Sequence, residues 1–537
     1  MGFLGIGKTQ TAVPAFPGHV AALRGHPSIR ISWLEQDYVI PFCLAFAACF
    51  VHFLFNGQYG FFRDELYYAA CGQHLAWGYV DQAPLIAVIA RISRTVFGDS
   101  LRGLRFFPAI ASGMMVLLTA WFVRELGGRR FAQVLAGTAV LICPIYLTMG
   151  NFFSMNAFEP IFWMLCAAIG LRIARTGKQR LWLLFGLVAG IGILNKHSML
   201  FFGCGFVLAL LVTRERRLLR EPMIWAGGLI SFAIFLPNFI WELRNHWPTI
   251  EILLNVDGSK NEHVSWLAFI AQQALLVHPL GTPICLAGLY FFLVSREGQP
   301  YRFLGWTYIF VLLEFLIFRG RIYYLAPIYP IYFAAGAVVL ETLIERRDAG
   351  WAKPAILIPL LVGGLVAAPL ALPILPLDAA ASYAHFWDVE RVRVEREPSG
   401  KLPQLFADMM GWPQQVDAVT TVFESLPAED RPKAAILTKN YGQAGAIDYF
   451  GPAHGLPPAI SGHNNYFLWG PRQSTGEIVV SVGMPIEELR PFFDNIELAA
   501  TIHNGYAIPE EDNLPIYICR KPRMSLRETW PRLKFYG

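Results

Sequence analysis

Residues 104–123 have the sequence LRFFPAIASGMMVLLTAWFV, an apolar stretch in which Arg105 is the single charge. At about 1.5 Å of rise per residue, such a stretch forms a helix of about 30 Å, which matches the hydrocarbon thickness of a bilayer. The basic residues Arg124, Arg129 and Arg130 follow it closely. The stretch therefore predicts a membrane-spanning helix that ends at a basic loop.

Similar stretches recur over the first two thirds of the chain. Of the 537 residues, 55% are hydrophobic and only 15% are charged, and the mean hydropathy is +0.42. A soluble chain carries about a quarter charged residues, so the composition excludes an ordinary soluble protein. The net charge of +5 sits mainly in short loops and does not indicate nucleic-acid binding. We predict about 11 spans, near residues 38–55, 104–123, 131–149, 157–174, 181–194, 199–212, 222–241, 270–294, 303–318, 323–343 and 354–376.

The composition changes after residue 376, where the chain becomes polar and rich in Pro and Gly. We expect a flexible cytoplasmic tail at 1–37, a membrane domain at 38–376 and an extracytoplasmic domain at 377–537. In the last domain, short apolar runs alternate with helical patterns, which favours a layered α/β fold. The predicted strands lie at 434–438, 477–482 and 515–520, and the predicted helices at 416–426, 442–450 and 485–493.

Alternate loops between the predicted spans are basic, and this sets the orientation. The positive-inside rule places basic loops in the cytoplasm. The opposite side then holds the first loop at 56–103, the turn at 195–198 and the C-terminal domain. Five successive loops carry the basic residues, at Arg124, Arg129 and Arg130; Arg172, Arg175, Lys178 and Arg180; Arg214, Arg216, Arg217 and Arg220; Arg296 and Arg302; and Arg346, Arg347 and Lys353.

The first external loop has the pattern of two helices, at 65–78 and 84–97. Leu85, Val88, Ile92 and Val96 share one face of the second helix. This spacing is typical of an amphipathic helix that lies on the membrane surface.

The same loop carries acidic residues close to the membrane. Asp64 and Glu65 follow Arg63, and Asp81 comes a short distance later. Capping of the helix that begins there accounts for Asp64 and Glu65 equally well. The alternative is a catalytic carboxylate that takes a proton from an incoming hydroxyl or amine.

Two further segments place charged residues on the external side. Glu159 lies at the mouth of the fourth span, where an acid is costly unless it is paired or functional. Lys196 and His197 lie in a tight turn between two spans. The lysine either extends its ammonium group to the interface or binds an anion or a partner carboxylate.

Arg319 and Arg321 lie on the predicted external side, where basic residues are otherwise few, and Tyr323 and Tyr324 follow them. Arginine suits bidentate recognition of phosphate. A carboxylate opposite these cations would suit group transfer from a lipid-borne phosphate at the outer membrane surface.

The segments RDELYYAACGQHL at 63–75 and GYVDQAPL at 78–85 resemble the first-loop signature of the dolichyl-phosphate-mannose protein mannosyltransferase family. That family includes the bacterial aminoarabinose transferases and belongs to the GT-C integral-membrane glycosyltransferases. LNKHS at 194–198 and RGRIYYLAPIYP at 319–330 are similar to later family motifs. The chain departs from the pattern at Gln82 and Ala83, which leaves the donor sugar open.

The resemblance implies a polytopic GT-C fold and a polyprenyl-phosphate-linked sugar as donor. It implies Asp64 as the catalytic residue and Asp81 as the second acidic residue of the loop. We expect Lys196, Arg319, Arg321, Tyr323 and Tyr324 at the donor phosphate. The supporting or substrate-binding residues are expected to be Arg63, Glu65, Tyr67, Glu159 and His197.

The hypothesis is therefore an inverting glycosyltransferase on the periplasmic face of a bacterial inner membrane, with an unidentified lipid, glycan or protein acceptor. The alternatives are a transporter or flippase of lipid-linked sugars and an assembly subunit without catalysis. No duplicated pattern of the kind that transporters show is present. No cofactor is required by the sequence. The identity of any metal is unknown, although a divalent ion is compatible with external histidines such as His263 and His278.

Overall fold

The computed structural model describes residues 32–259, 265–388 and 400–537. The described residues from Ile40 onward form one compact unit. Most of the predicted N-terminal tail at 1–37 lies outside the described residues, and His263 does as well. The predicted boundary at 376/377 stays a prediction.

The first part of the chain is helical throughout its described length. Its helices are α1 (Ser32–Phe55), α2 (Arg63–Gln73), α3 (Leu85–Phe97), α4 (Leu101–Leu104), α5 (Phe106–Glu125), α6 (Arg130–Leu141), α7 (Pro144–Asn151), α8 (Glu159–Thr176), α9 (Leu181–Asn195), α10 (Met199–Val212), α11 (Pro222–Arg244), α12 (Pro248–Ser259), α13 (Trp266–Leu276), α14 (Thr282–Leu293), α15 (Arg302–Ile317), α16 (Tyr329–Arg346), α17 (Ala352–Ala371) and α18 (Leu377–Phe386). A 3-10 helix, Ile322–Ile328, leads into α16.

This part of the protein is a multi-pass membrane domain. Six of the described helical segments are long and apolar enough to cross a bilayer, and α6 with α7 forms a seventh if the bent pair is one span. Shorter apolar helices occupy the other predicted spans, at Val39–Phe55, Leu181–Asn195, Met199–Val212, Trp266–Leu276 and Thr282–Leu293. The predicted helical membrane fold is confirmed.

Two predicted spans are broken. The span predicted at 131–149 bends by 61° between α6 and α7, where Pro144 begins the second helix and cannot donate a backbone hydrogen bond. The span predicted at 270–294 is divided into α13 and α14, and His278 in the break has a φ of +73°. Each of these two segments is therefore made of two helices.

The loops predicted on one side of the membrane contact each other. Arg172 forms an ion pair of 2.6 Å with Glu125, between the ends of α8 and α5. Arg346 lies 3.3 Å from Glu297. Arg129 lies 3.3 Å from Glu345, so four of the five basic loops gather at one end of the helical domain.

The C-terminal part is an α/β domain. Its strands are β1 (Ala434–Thr438), β2 (Ile460–Ser461), β3 (Ile478–Val482), β4 (Phe493–Ile502) and β5 (Leu514–Pro522). Its helices are α19 (Gln404–Ala407), α20 (Trp412–Glu424), α21 (Tyr441–Phe450), α22 (Asn464–Trp469), α23 (Ile486–Leu489) and α24 (Leu526–Thr529). The order in the sheet is β2-β1-β3-β5-β4. β1 is parallel to β2 and β3, and β5 is antiparallel to β3 and β4.

The predicted strands at 434–438, 477–482 and 515–520 are confirmed. The helix predicted at 485–493 was wrong in its second half, because α23 ends at Leu489 and Phe493 begins the edge strand β4. Most side chains of β4 are exposed, so the strand lacks the continuous apolar run that marks β1 and β3.

The C-terminal domain packs directly on the first loop. Leu66 and Tyr67 of α2 belong to the same buried apolar cluster as Ile436 and Val480 of the sheet. α21 approaches α2 closely, since a Cβ atom at Gly445 would lie 3.0 Å from the backbone of Leu66. Only a glycine fits at such a distance without displacement.

The two predicted helices of the first loop are present as α2 and α3. α3 exposes the apolar side chains of Val88, Ile92 and Val96, as a surface-lying amphipathic helix does. α2 is instead covered by the C-terminal domain, and most of its residues are buried.

Candidate active site

Asp64 lies in the first turn of α2 and does not cap that helix. The N-cap position is Phe62, whose backbone N–H donates to Glu65 Oε2 at 2.7 Å. Asp64 Oδ1 accepts a hydrogen bond of 2.8 Å from the Tyr441 hydroxyl and lies 3.9 Å from Arg63 Nε. Its side chain is 30% exposed. The capping role therefore belongs to Glu65, and Asp64 keeps acceptor capacity for other partners.

Glu65 has a structural environment. Its side chain and that of Arg105 are fully buried and form two hydrogen bonds of 2.7 Å. The backbone N–H of Phe153 donates to the same carboxylate at 2.6 Å. With the Phe62 contact, this carboxylate has partners on both oxygens and links α2 to α5 and to the segment after α7.

Asp81 lies in the loop between α2 and α3. Its Oδ1 accepts from the Tyr67 hydroxyl at 2.9 Å, and its Oδ2 accepts from Asn464 Nδ2 at 3.2 Å. Burial, with a smaller effect of the nearby charge of Asp64, raises the pKa of Asp81 to about 7, although the hydrogen bonds from Tyr67 and Asn464 act in the opposite direction. Asp81 therefore titrates near neutral pH.

Arg63 joins α2 to the C-terminal domain. Its backbone N–H donates to the carbonyl of Asp408 at 3.1 Å, and its guanidinium lies 3.7 Å from the Asp408 carboxylate. The guanidinium carbon lies 5.8 Å from the centre of the Tyr441 ring. Arg63 thus contacts the residue that donates to Asp64.

Lys196 follows the last residue of α9, in the predicted turn. Its ammonium group donates to Asn156 Oδ1 at 2.7 Å and to Glu159 Oε2 at 3.1 Å. Glu159 is buried and also accepts a hydrogen bond from Ser198. An ammonium has three hydrogens, so one is left for an anion.

The same ammonium lies over the rings of Tyr324 and Tyr323, at 4.4 and 5.5 Å from the ring centres. These two rings contact each other edge to face at 4.9 Å. The structure therefore brings together Lys196, Glu159, Tyr323 and Tyr324. We refer to Lys196, Asn156, Glu159, Tyr323 and Tyr324 as the lysine cluster.

Arg319 and Arg321 occupy different environments. Arg319 is exposed and adopts a left-handed backbone with a φ of +51°. Arg321 is half-buried and is the residue before the 3-10 helix that carries Tyr323 and Tyr324. Arg321 is thus the arginine adjacent to the lysine cluster in the chain.

His197 links the lysine turn to the first loop. Its Nε2 lies 2.9 Å from Asn238 Oδ1, and Asn238 Nδ2 donates to the carbonyl of Trp77 at 2.7 Å. Burial lowers the pKa of His197, which favours the neutral ring. His197 therefore supports the turn rather than supplying charge.

Tyr68 connects the carboxylates with the lysine cluster. Burial raises the pKa of its phenol, and the neighbouring groups Asp64, Asp81, Tyr441 and Tyr323 raise it further. The ring of Tyr68 also contacts the ring of Phe153 edge to face, with 6.2 Å between the ring centres. We refer to Asp64, Asp81, Tyr67, Tyr68 and Tyr441 as the acid cluster. Phe153 lies three residues before Asn156, which accepts a hydrogen bond from Lys196, so Tyr68 contacts the segment that carries part of the lysine cluster.

Several contacts of the site were not assigned from the sequence. Tyr441, Asn464 and Asn465 come from the C-terminal domain, and Asn465 Oδ1 accepts from the Val80 backbone N–H at 2.7 Å. The loops at 440–444 and 462–470 are rich in polar and aromatic residues, a composition that turn formation explains as well as acceptor binding does. Neither Asn156 nor Asn238 was among the predicted site residues.

Within the ranges that the structure describes, no three His, Cys, Asp or Glu side chains form a metal-binding group. His278 is buried, and its Nδ1 accepts a hydrogen bond from the Leu280 backbone N–H at 3.2 Å. A divalent ion stays an untested expectation.

Comparison with solved structures identifies the fold. ArnT from Cupriavidus metallidurans, in a crystal structure bound to undecaprenyl phosphate, matches with a TM-score of 0.61 at 15% sequence identity. The match covers 91% of this chain and 98% of that chain. The apo structure of the same protein matches with a TM-score of 0.59. The predicted GT-C type of fold, with its C-terminal α/β domain, is confirmed.

Sequence comparison supports the resemblance from a second direction. The family model described as Dolichyl-phosphate-mannose-protein mannosyltransferase matches residues 81–241. The undecaprenyl phosphate-alpha-4-amino-4-deoxy-L-arabinose arabinosyl transferase of Aeromonas salmonicida is 32% identical over 160 residues, which are 29% of each chain. The lipid A galacturonosyltransferase RgtD of Rhizobium johnstonii is 23% identical over 254 residues, which are 46% of this chain and 52% of that protein.

The resemblance noted from the motifs is therefore confirmed. The alignments span about half or less of these curated relatives. Neither relative is named as a transporter, so that alternative gains no support from them.

Proposed function

We propose that this chain is a glycosyltransferase that moves a sugar from a polyprenyl-phosphate donor to an acceptor at the extracytoplasmic surface of the membrane. The observation that carries the proposal is the position of Asp64. Asp64 does not cap α2 and is 30% exposed, and α2 contacts the segment that holds Lys196, since the Tyr68 ring packs on Phe153 and Asn156 of the same segment accepts from the Lys196 ammonium group. The curated relatives with sequence similarity are named as transferases of lipid-linked or lipid A sugars.

In the proposed reaction, the acceptor hydroxyl attacks the anomeric carbon of the donor sugar. Its proton passes to Asp64, a new C–O bond forms, and the bond from the anomeric carbon to the phosphate oxygen breaks. Attack in line with the leaving group inverts the configuration. The polyprenyl phosphate leaves with the bonding electrons.

The lysine cluster would hold that phosphate. Lys196 has one hydrogen left for a phosphate oxygen, and the two tyrosine rings and Glu159 fix the direction of its ammonium group. Arg321 would add a second cation on the same side. Cations held in a site from which water is partly excluded stabilise the negative charge that develops on the leaving phosphate.

The proposed location is the inner membrane of a bacterium, with the site facing the periplasm. The ion pairs that join the basic loops support this orientation, because those loops form one end of the helical domain and basic loops face the cytoplasm. The names of the relatives favour a lipid of the cell envelope as acceptor.

The test is transfer by membranes that contain Asp64→Asn, incubated with a panel of polyprenyl-phosphate sugars and followed by product mass. We expect a loss of at least about a thousandfold, because the general base is removed without a change in volume. Glu497→Gln is the control, since Glu497 is an exposed carboxylate on β4.

Full activity of folded Asp64→Asn would overturn the assignment of the base. Binding of a polyprenyl phosphate by the wild-type protein without turnover would favour an assembly subunit. Movement of the lipid-linked sugar across the membrane without product would favour a flippase.

A further inference from the structure

Both carboxylates of the acid cluster are bonded to the C-terminal domain. Asp64 accepts from the Tyr441 hydroxyl at 2.8 Å, and Asp81 accepts from the Asn464 amide at 3.2 Å. Tyr441 and Asn464 belong to different elements of that domain, α21 and α22. Each carboxylate of the first loop therefore has its own partner from the C-terminal domain.

We propose that Tyr441 and Asn464 are positioning residues that hold Asp64 and Asp81 in the orientation required for sugar transfer. This inference rests on the proposed function, because it assigns the C-terminal domain a part in the same site. It treats Asp64 as the residue that reacts and the other two residues as acting through the carboxylates.

Tyr441 is held rigidly. It is the first residue of α21, whose N-cap Asn440 accepts from the Gln443 backbone N–H at 3.0 Å and donates to Glu511 at 2.6 Å. The Tyr441 ring contacts the rings of Tyr67 and His463, and its centre lies 4.7 Å from the centre of each. A hydroxyl fixed in this way limits the rotation of the Asp64 carboxylate.

Asn464 is held by the segment 533–537. Its backbone N–H donates to the Phe535 carbonyl at 3.0 Å, and its Oδ1 accepts from the Gly537 N–H at 3.2 Å. A Cβ atom at Gly462 would lie 1.7 Å from the Leu533 carbonyl oxygen, so the two segments are in close contact. With Oδ1 engaged by Gly537, the amide Nδ2 is directed at Asp81.

The backbone of Asn464 explains why an asparagine is suited to this position. Its φ is +45°, in the left-handed region that few residues other than Gly, Asn and Asp adopt readily. Asn464→Gly therefore retains the backbone while it removes both side-chain hydrogen bonds. Asn513 has a φ of +57° and is exposed, so Asn513→Gly is a matched control.

The test for Tyr441 compares Tyr441→Phe with Tyr506→Phe. Tyr506 also donates its hydroxyl to an aspartate, Asp378, at an exposed position of the C-terminal domain. For Tyr441→Phe we expect kcat to fall about tenfold or more while the donor KM stays within about twofold, because one bond to a charged group is lost. Tyr506→Phe should leave both constants unchanged.

The test for Asn464 is the pH profile of kcat/KM. The groups that act on Asp81 are Tyr67, Asp64 and Asn464, with Cys71, Tyr68 and Tyr441 nearby. The wild-type profile should bend near pH 7, where Asp81 loses its proton, and Asp81→Asn should lack this bend. Asn464→Gly removes a donor that lowers the pKa of Asp81, so its bend should move to higher pH.

An unchanged kcat in Tyr441→Phe, or an unchanged pH profile in Asn464→Gly, would overturn the inference for that residue. A shifted profile in Asn513→Gly would show that the change is not specific to Asp81. Asp64→Asn separates the two proposals. If it stays fully active, the assignment of Asp64 as the base in the proposed function fails, whereas if it is inactive and the positioning variants behave as wild type, only this inference fails.

Discussion

Asp64 and Glu65 are neighbours in the chain, but they lie in two different environments. Glu65 is 0% exposed and both of its oxygens are bonded, to Arg105 and to the backbone N–H groups of Phe62 and Phe153. Asp64 is 30% exposed, with one hydrogen bond from Tyr441 and a more distant arginine. A carboxylate with all of its acceptor capacity in use stabilises the fold, whereas one with spare capacity is able to react.

The largest effect on stability is expected at the buried pair. Arg105→Met leaves the Glu65 carboxylate without its cation, and removal of one partner of a buried ion pair costs about 3–5 kcal/mol. We expect the purified protein in detergent to unfold at a clearly lower temperature than wild type. Thermal unfolding followed by tryptophan fluorescence measures the difference.

The double variant Glu65→Gln with Arg105→Met is the control for this prediction. It removes both charges, so it should regain part of the lost stability. Wild-type stability in the single variant would show that Glu65 is not a structural carboxylate, and the contrast with Asp64 would disappear.

Part of this architecture could be predicted from the sequence. Spans such as 104–123 were predictable because hydrophobic length alone determines whether a helix crosses a bilayer. The strand at 434–438 was predictable because all five of its residues are buried, which gives a continuous apolar run. The turn at Lys196 was predictable because two apolar helices flank it directly.

The contacts that define the site were not predictable in the same way. Tyr441 and Asp64 are 377 positions apart, and no local pattern records that a loop and a distant domain will meet. The capping role of Asp64 was also open, since Asp64 and Glu65 are both acids of a first turn and only the geometry assigns the bond to Glu65. The edge strand β4 was missed because most of its side chains face solvent.

The second prediction concerns the lysine cluster. Lys196 resembles Glu65 in being paired with a buried charge, and it resembles Asp64 in having capacity for a further hydrogen bond. Lys196 is bonded to the buried acid Glu159 but keeps one hydrogen free. Lys196→Met should lower kcat/KM for the donor by about 30- to 100-fold, because a charge-assisted hydrogen bond contributes about 2–3 kcal/mol. Initial rates at varied donor concentration measure this, and Lys439→Met, at an exposed lysine, is the matched control.

Lys196→Met also leaves Glu159 buried without its cation, which lowers stability by the same reasoning as for Arg105. Adding Glu159→Gln removes that cost and leaves the loss of the phosphate contact. If the double variant transferred sugar as fast as wild type, Lys196 would have a structural role only.

The smallest effect is expected for Arg319. It is exposed, and an exposed charge is screened by water and salt, so its contribution to binding an anion is small. Arg319→Ala should change kcat/KM by less than about threefold, whereas Arg321→Ala, at the half-buried arginine before Tyr323 and Tyr324, should have the larger effect. Both variants are measured at low and at high salt, since a screened contact weakens further with salt.

An effect of Arg319→Ala equal to that of Lys196→Met would move the donor phosphate outward from the lysine cluster. The number of hydrogen bonds that a charged side chain makes, and its exposure, would then not predict how strongly its substitution affects sugar transfer.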